Sequence, residues 1–146
     1  MSVTEPTQAP PVEFLDTNVL IRYLTQDNPD QSQRAYNLLQ RVDTGRLTVT
    51  TSEAVITELV HVLSSRILYN LPRDLIRTHV TTVITLRGLK LPYKRTYLRA
   101  LDIYASTNLD FVDAINVAHM EWQKLTNIIS FDRDFDKMPG ISRHEP

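Results

Sequence analysis

Residues Val12 to Leu24 read VEFLDTNVLIRYL, and they decide what kind of fold the rest of the chain completes. Val12, Glu13, Phe14 and Leu15 have strand character and run straight into Asp16. Val19, Leu20, Tyr23 and Leu24 follow at the i, i+1, i+4, i+5 spacing of one helix face. A carboxylate therefore stands where a strand hands over to a helix. In open parallel α/β sheets that edge, at the carboxyl ends of the strands, is where ligands and active sites gather. Asp16 also suits an ordinary N-cap, because Asp is favoured just ahead of an apolar helical pattern. Other carboxylates at equivalent places would decide between the two.

Working outward, the spacing predicts alternating helices and strands. Asn28-Pro29-Asp30 opens a helix whose face is Ala35, Leu38, Leu39 and Val42, closed by Gly45 before a strand at Leu47–Thr50. A helix from Ser52 to about Leu68 carries Val55, Ile56, Leu59, Val62, Leu63 and Ile67. Pro72 at a first helical position starts the next, with Ile76, Val80, Val83 and Ile84 inside and Gly88 ahead of a strand at Leu89–Leu91. Lys94 to Ser106 and Phe111 to about Leu125 are two more helices, the second apolar almost all round and so buried on more than one side. Asn127–Ser130 (NIIS) reads as a short buried strand, and Ile141–His144 as a last one after Gly140. Strands alternating with helices imply an α/β chain, a three-layer α/β/α sandwich with a central, mostly parallel sheet.

The chain's 146 residues suit a single domain spanning 12–146, preceded by a flexible tail at 1–11 that holds three prolines and almost no apolar mass. That start lacks the basic and apolar regions of a signal peptide. Composition is that of an ordinary soluble protein, 42% hydrophobic and 23% charged, and a net charge of −1 supplies no global field for nucleic acid. The absence of cysteine removes disulfides, thiolate nucleophiles and Cys-ligated metals, and fits a reducing cytoplasm. No apolar run approaches the roughly 18 residues of a membrane span.

Four acids stand out by position. Asp16 follows the first strand, and Asp132 follows NIIS by one residue, on the same edge of a parallel sheet. Asp113 lies in the first turn of the buried helix behind Asp110, its expected N-cap. Glu58 rides the border of an apolar helix face, where an acid must find a partner or a metal, and no Lys or Arg stands at i±3 or i±4. Each also has a plainer role as a cap or a first-turn charge that offsets the helix dipole. If the four converge, their charges raise one another's pKa unless a cation sits among them. Mg²⁺ or Mn²⁺ prefers such oxygen ligands. A cation held this way suits phosphodiester hydrolysis, since it activates water, neutralises the phosphate and stabilises the leaving oxygen. The four histidines are scattered singly, without zinc-ligand spacing.

LDTNVLIRYL, TELVHVL around Glu58, LDFVDAINVAH, and SFDRDFDKMPGI after the last strand together resemble the PIN-domain nucleases. The chain is most similar to the VapC-type toxins of toxin–antitoxin pairs, from about Val12 to about Ile141. That resemblance implies Asp16, Glu58 and Asp113 as core metal ligands, with Asp132 as a fourth acid of more variable role. It makes Asn18 a residue that orients a ligand or water. Ser130 stands where the family often has Thr and keeps a hydroxyl donor. The same resemblance implies a Mg²⁺- or Mn²⁺-dependent endoribonuclease acting on RNA, a homodimer and a cognate antitoxin.

One local feature points to RNA on its own. Between Arg73 and Arg99 seven basic residues (Arg73, Arg77, Arg87, Lys90, Lys94, Arg95, Arg99) face one acid, Asp74. Such a segment could hold a phosphate backbone, or be a solvated helix face. Two other classes remain open: a PIN-like scaffold that binds a partner without cleaving, and a phosphoacceptor regulatory domain. The latter, or a phosphatase with an Asp nucleophile, would want a second acid near Asp16, and DTN offers Asn18 instead.

Overall fold

Hydrogen bonding at the end of the first strand shows how the chain is laid down. In the computed structural model, which describes residue 4 and residues 10–146, Leu15 donates its N–H to Thr50 and accepts from the Thr51 hydroxyl, both at 2.8 Å. β1 (Glu13–Phe14) is thereby docked on β2 (Val49–Thr50), and β2 on β3 (Leu89–Lys90), all parallel and in the order β1-β2-β3. Of the tail expected at 1–11, residues 1–3 and 5–9 lie outside the described residues.

Two compact units emerge. The first contains residues up to Thr51 together with Leu86–Lys90. Beside its sheet it holds α1 (Thr17–Leu24) and α2 (Pro29–Asp43). Asn28 caps α2 by accepting from the Gln31 N–H at 3.1 Å, and Pro29 fills the first turn, where its missing N–H costs nothing. The Ser32 hydroxyl donates to the Thr25 carbonyl, and Arg22 reaches Gln31 at 2.7 Å and Asp27 at 3.0 Å, so the α1–α2 corner is fastened by side chains. Leu20, Leu39, Val42 and Leu89 are fully or almost fully buried in this unit. Gly88 is there for proximity: a Cβ would run into the carbonyl oxygens of Leu47 and Val42. The preceding helix ends earlier, at Thr85 with φ −86°, so Gly88 is not its cap, contrary to the expectation from sequence.

The second unit comprises Ser52–Thr85 and Leu91–Pro146. It holds α3 (Glu53–Ser64), α4 (Arg73–Ile84), α5 (Lys94–Ser106) and α6 (Phe111–Gln123), then β4 (Asn127–Ile129), a 3-10 turn at Arg133–Lys137, and β5 (Ser142–His144). α3 packs on α4 and α6, and α5 on α4 and α6. Ile56, Leu59, Leu63, Ile76, Val80, Leu101, Ala114 and Val117 close the interior at 0% exposure. Each of the larger chains contributes about 1.5–3 kcal/mol by leaving water. The buried residues of α6 fall on more than one face, as its composition predicts.

Among the described residues all strand pairing is parallel, in keeping with an α/β chain, but β4 and β5 form their own two-stranded sheet within the second unit. NIIS is not buried as expected: Ile129 is 66% exposed, because among the described residues β4 pairs only with β5. α3 also stops at Ser64, short of the expected Leu68, so Ile67 is left 91% exposed beyond its apolar face. Pro72 caps α4 from outside instead of occupying its first turn.

Candidate active site

Asp16 holds the N-cap position of α1, yet its side chain makes no capping hydrogen bond, and it is exposed. The backbone just before it is pinned to β2 by Leu15, so the carboxylate is presented by a fixed strand end and left available. The plain capping role does not apply. Asn18, in the first turn of α1, lines a cavity of about 420 Å³ with Arg22, Gln31 and Arg34.

In the second unit the carboxylates crowd around Asp113. Asp110 does cap α6, accepting the Asp113 N–H at 2.8 Å. The Asp113 carboxyl is pushed up to about 6 by partial burial first, then by the charges of Asp110, Asp132 and Asp134, with a hydrogen bond to Asp132. Asp113 and Asp132 are thus brought together, from the start of α6 and the turn after β4. Asp132 is aimed by a small local network. The Ser130 hydroxyl accepts the Asp132 N–H at 3.0 Å, and Asp132 Oδ1 accepts from the Asp134 N–H at 2.9 Å. By accepting the Asp132 N–H, Ser130 holds Asp132 in place.

Glu58 is exposed and lines a cavity of about 960 Å³ shared with Glu53, His61, Arg66, Arg73 and Asp110. His61 stands one turn on from Glu58. Glu53 is engaged elsewhere. It hydrogen-bonds Tyr97, whose hydroxyl is pushed up to about 12 by burial and then by that carboxylate, and it lies 3.5 Å from His119 Nε2.

Crowded carboxylates of this kind are hard oxygen donors, and a protonation held up to about 6 marks a place where positive charge is wanted. The donor chemistry fits a divalent cation. Among the described residues, however, no three His, Asp or Glu side chains stand together as a ready-made cation site.

The PIN domain family matches residues 14–141. This chain belongs to that family. Two relatives of the PIN domain are the VapC ribonuclease Mb1869c of Mycobacterium bovis and ribonuclease VapC13 of Mycobacterium tuberculosis. Each is 28% identical to it over 132 residues, covering 89% of this chain and 97% of the relative. The matched span begins on β1 and ends just before β5, so it takes in every acid singled out above.

The basic segment of the PIN domain is less open than its sequence suggests. Arg73 turns inward: its Nη1 donates to the carbonyls of Tyr104 (2.9 Å), Thr107 (3.2 Å) and Leu109 (2.5 Å), and its guanidinium lies 4.2 Å over the Tyr104 ring. Arg77 pairs with Asp74 and Asp102, and Arg99 forms a two-pronged bond with Glu121 at 2.8 and 3.0 Å. Arg95 remains exposed at the start of α5. No helix of the described residues is long and apolar enough to cross a membrane.

Proposed function

We propose that this PIN domain is a metal-dependent endoribonuclease and the toxin of a type II toxin–antitoxin pair. The observation that carries the proposal is the crowding of Asp132, Asp110 and Asp134 on Asp113 at the mouth of α6. Family membership and the two ribonuclease relatives support it. Residues 12–146 act as one nuclease domain in this reading.

Asp113, Asp132, Glu58 and Asp16 would hold Mg²⁺ or Mn²⁺. Asp16 and Glu58 are assigned by their places in the chain, after β1 and within α3. When bound, a cation of this kind activates water, offsets phosphate charge and stabilises the leaving oxygen. The chain's own part is positional. The Asp110 cap fixes the first turn of α6 and with it Asp113, and Ser130 fixes the turn that carries Asp132. Asn18 orients a ligand or water in this reading. Phosphate contacts from exposed cations such as Arg95 hold the RNA backbone without reading its sequence. The partners are RNA, a cognate antitoxin and a second copy of the chain, acting in the cytoplasm.

The test is cleavage of total cellular RNA by purified, antitoxin-free protein with Mg²⁺, with Mn²⁺ and with EDTA. Discrete, metal-dependent fragments are expected. Asp16→Ala, Glu58→Ala and Asp113→Ala should each lower the rate by at least about a hundredfold while circular dichroism stays unchanged. Full activity of folded Asp113→Ala overturns the site. No cleavage by folded wild-type protein with either metal favours a partner-binding scaffold.

A further inference from the structure

An aromatic patch on the second unit is not used by the site described above. Tyr93, just before α5, is 55% exposed, and Trp122, in the last turn of α6, is 64% exposed. Their rings meet edge to face at 5.9 Å, and the Tyr93 ring also meets the His119 ring at 6.0 Å. Two large rings are thus held together while keeping more than half of their surface in water. The arrangement needs an unusual backbone: Tyr93 sits at φ 63°, the left-handed region that bulky residues avoid. Such outliers persist where surrounding structure over-determines them, and they cluster at functional positions.

The charges around the patch choose its partner. Lys94 and Arg95 directly follow Tyr93, and Lys124 stands two residues after Trp122 as the left-handed end of α6. The neighbouring acids are occupied. Glu121 is held by Arg99, and Glu53 by Tyr97 and His119. Exposed rings flanked in sequence by cations match a single-stranded nucleic acid, whose bases stack while its phosphates take the cations. The patch and the Glu58 cavity share a neighbour: Glu53, 3.5 Å from His119, lines that cavity.

We propose that Tyr93 and Trp122 form a base-stacking subsite for single-stranded RNA beside the candidate site, with Arg95 and Lys124 on its phosphates. The proposal rests on the ribonuclease reading and adds the part of the substrate that is gripped without being cut. Because bases of every kind have a stacking face, it gives affinity with little sequence preference.

Trp122 is the only tryptophan in the chain, so its fluorescence reports the subsite directly. The full-length protein in EDTA is titrated with an oligoadenylate of about 10 nucleotides and with an abasic oligomer of the same length. Expected are quenching of Trp122 by the oligoadenylate and not by the abasic chain. Binding of labelled RNA should weaken about five- to tenfold in Tyr93→Ala and in Trp122→Ala, and stay close to wild type in Trp122→Phe. Equal quenching by both oligomers, or wild-type affinity in both Ala variants, overturns the subsite while RNA binding stands. A shift of Trp122→Ala from dimer to monomer in sedimentation assigns the patch to self-association and also overturns it. Failure of the wild type either to bind or to cleave RNA removes the ribonuclease reading itself, and the subsite with it.

Discussion

Asp113 carries the sharpest chemical consequence of any single residue. Its carboxyl is raised from 3.8 to about 6, so between those values the folded protein holds a proton that the unfolded chain has released. The stability this proton contributes is present below the unfolded value and is lost as pH rises through about 6. Metal-free Asp113→Asn should therefore be more stable than wild type at pH 7.5, by about 1 kcal/mol after allowance for solvent screening. The two should converge near pH 3 (roughly a unit below the unfolded value), where the carboxyl is largely protonated in both states. Urea denaturation in EDTA at both pH values measures this, and an equal difference at each would count against the crowding. The sequence pointed to Asp113 and Asp132 because each follows an element start or end that could be read by pattern. It could not show that Ser130 and Asp134 clamp Asp132, since those bonds depend on the conformation of one turn.

At the scale of elements, Arg73 ties the beginning of α4 to the end of α5 and the approach to α6. The three carbonyls it serves are in or just after the last turn of α5, and Leu109 directly precedes the cap of α6. Arg73→Ala should cost about 2–3 kcal/mol, as hydrogen bonds to a charged group are lost and their acceptors go unmet. Arg73→Lys should recover less than half, because an ammonium cannot lie flat on the Tyr104 ring while serving several carbonyls. Thermal unfolding checks both, and a variant Arg73→Ala within 0.5 kcal/mol (roughly the surface-substitution range) would show the fastening to be idle. Helices were legible because 3.6-residue periodicity is local, and the starts of α2, α5 and α6 fall within a residue of their sequence signals. Arg73 was not, as nothing in a sequence tells an inward arginine from a solvated one. β4 was misjudged for a related reason: an apolar run shows capacity for burial, and pairing decides whether it happens.

For the molecule as a whole, a net charge of −1 and the internal pairing of Arg73, Arg77 and Arg99 limit how strongly RNA is held by charge alone. If about three or four phosphates are neutralised, log affinity for a single strand should fall with log salt at a slope of roughly −2 to −3. A titration between 50 and 300 mM KCl (about a sixfold range) measures it, and a slope near −5 would mean that the whole basic segment is engaged. Here too a count of cations was legible in the sequence and their partners were not, because Asp102 and Glu121 lie on later helices.

The sheet of the first unit waits for its last strand. β1 and β2 are complete once Thr50 is made, but β3 starts only at Leu89, after α3 and α4 have been laid down in the other unit. At ordinary rates of synthesis that interval is about two to eight seconds. For that time the nascent chain offers the open edge of β2, and β3 must then return with Gly88 pressed against the Val42 and Leu47 carbonyls. Birth on the ribosome thus leaves a window in which another strand, from a chaperone or a neighbouring chain, could take the place of β3.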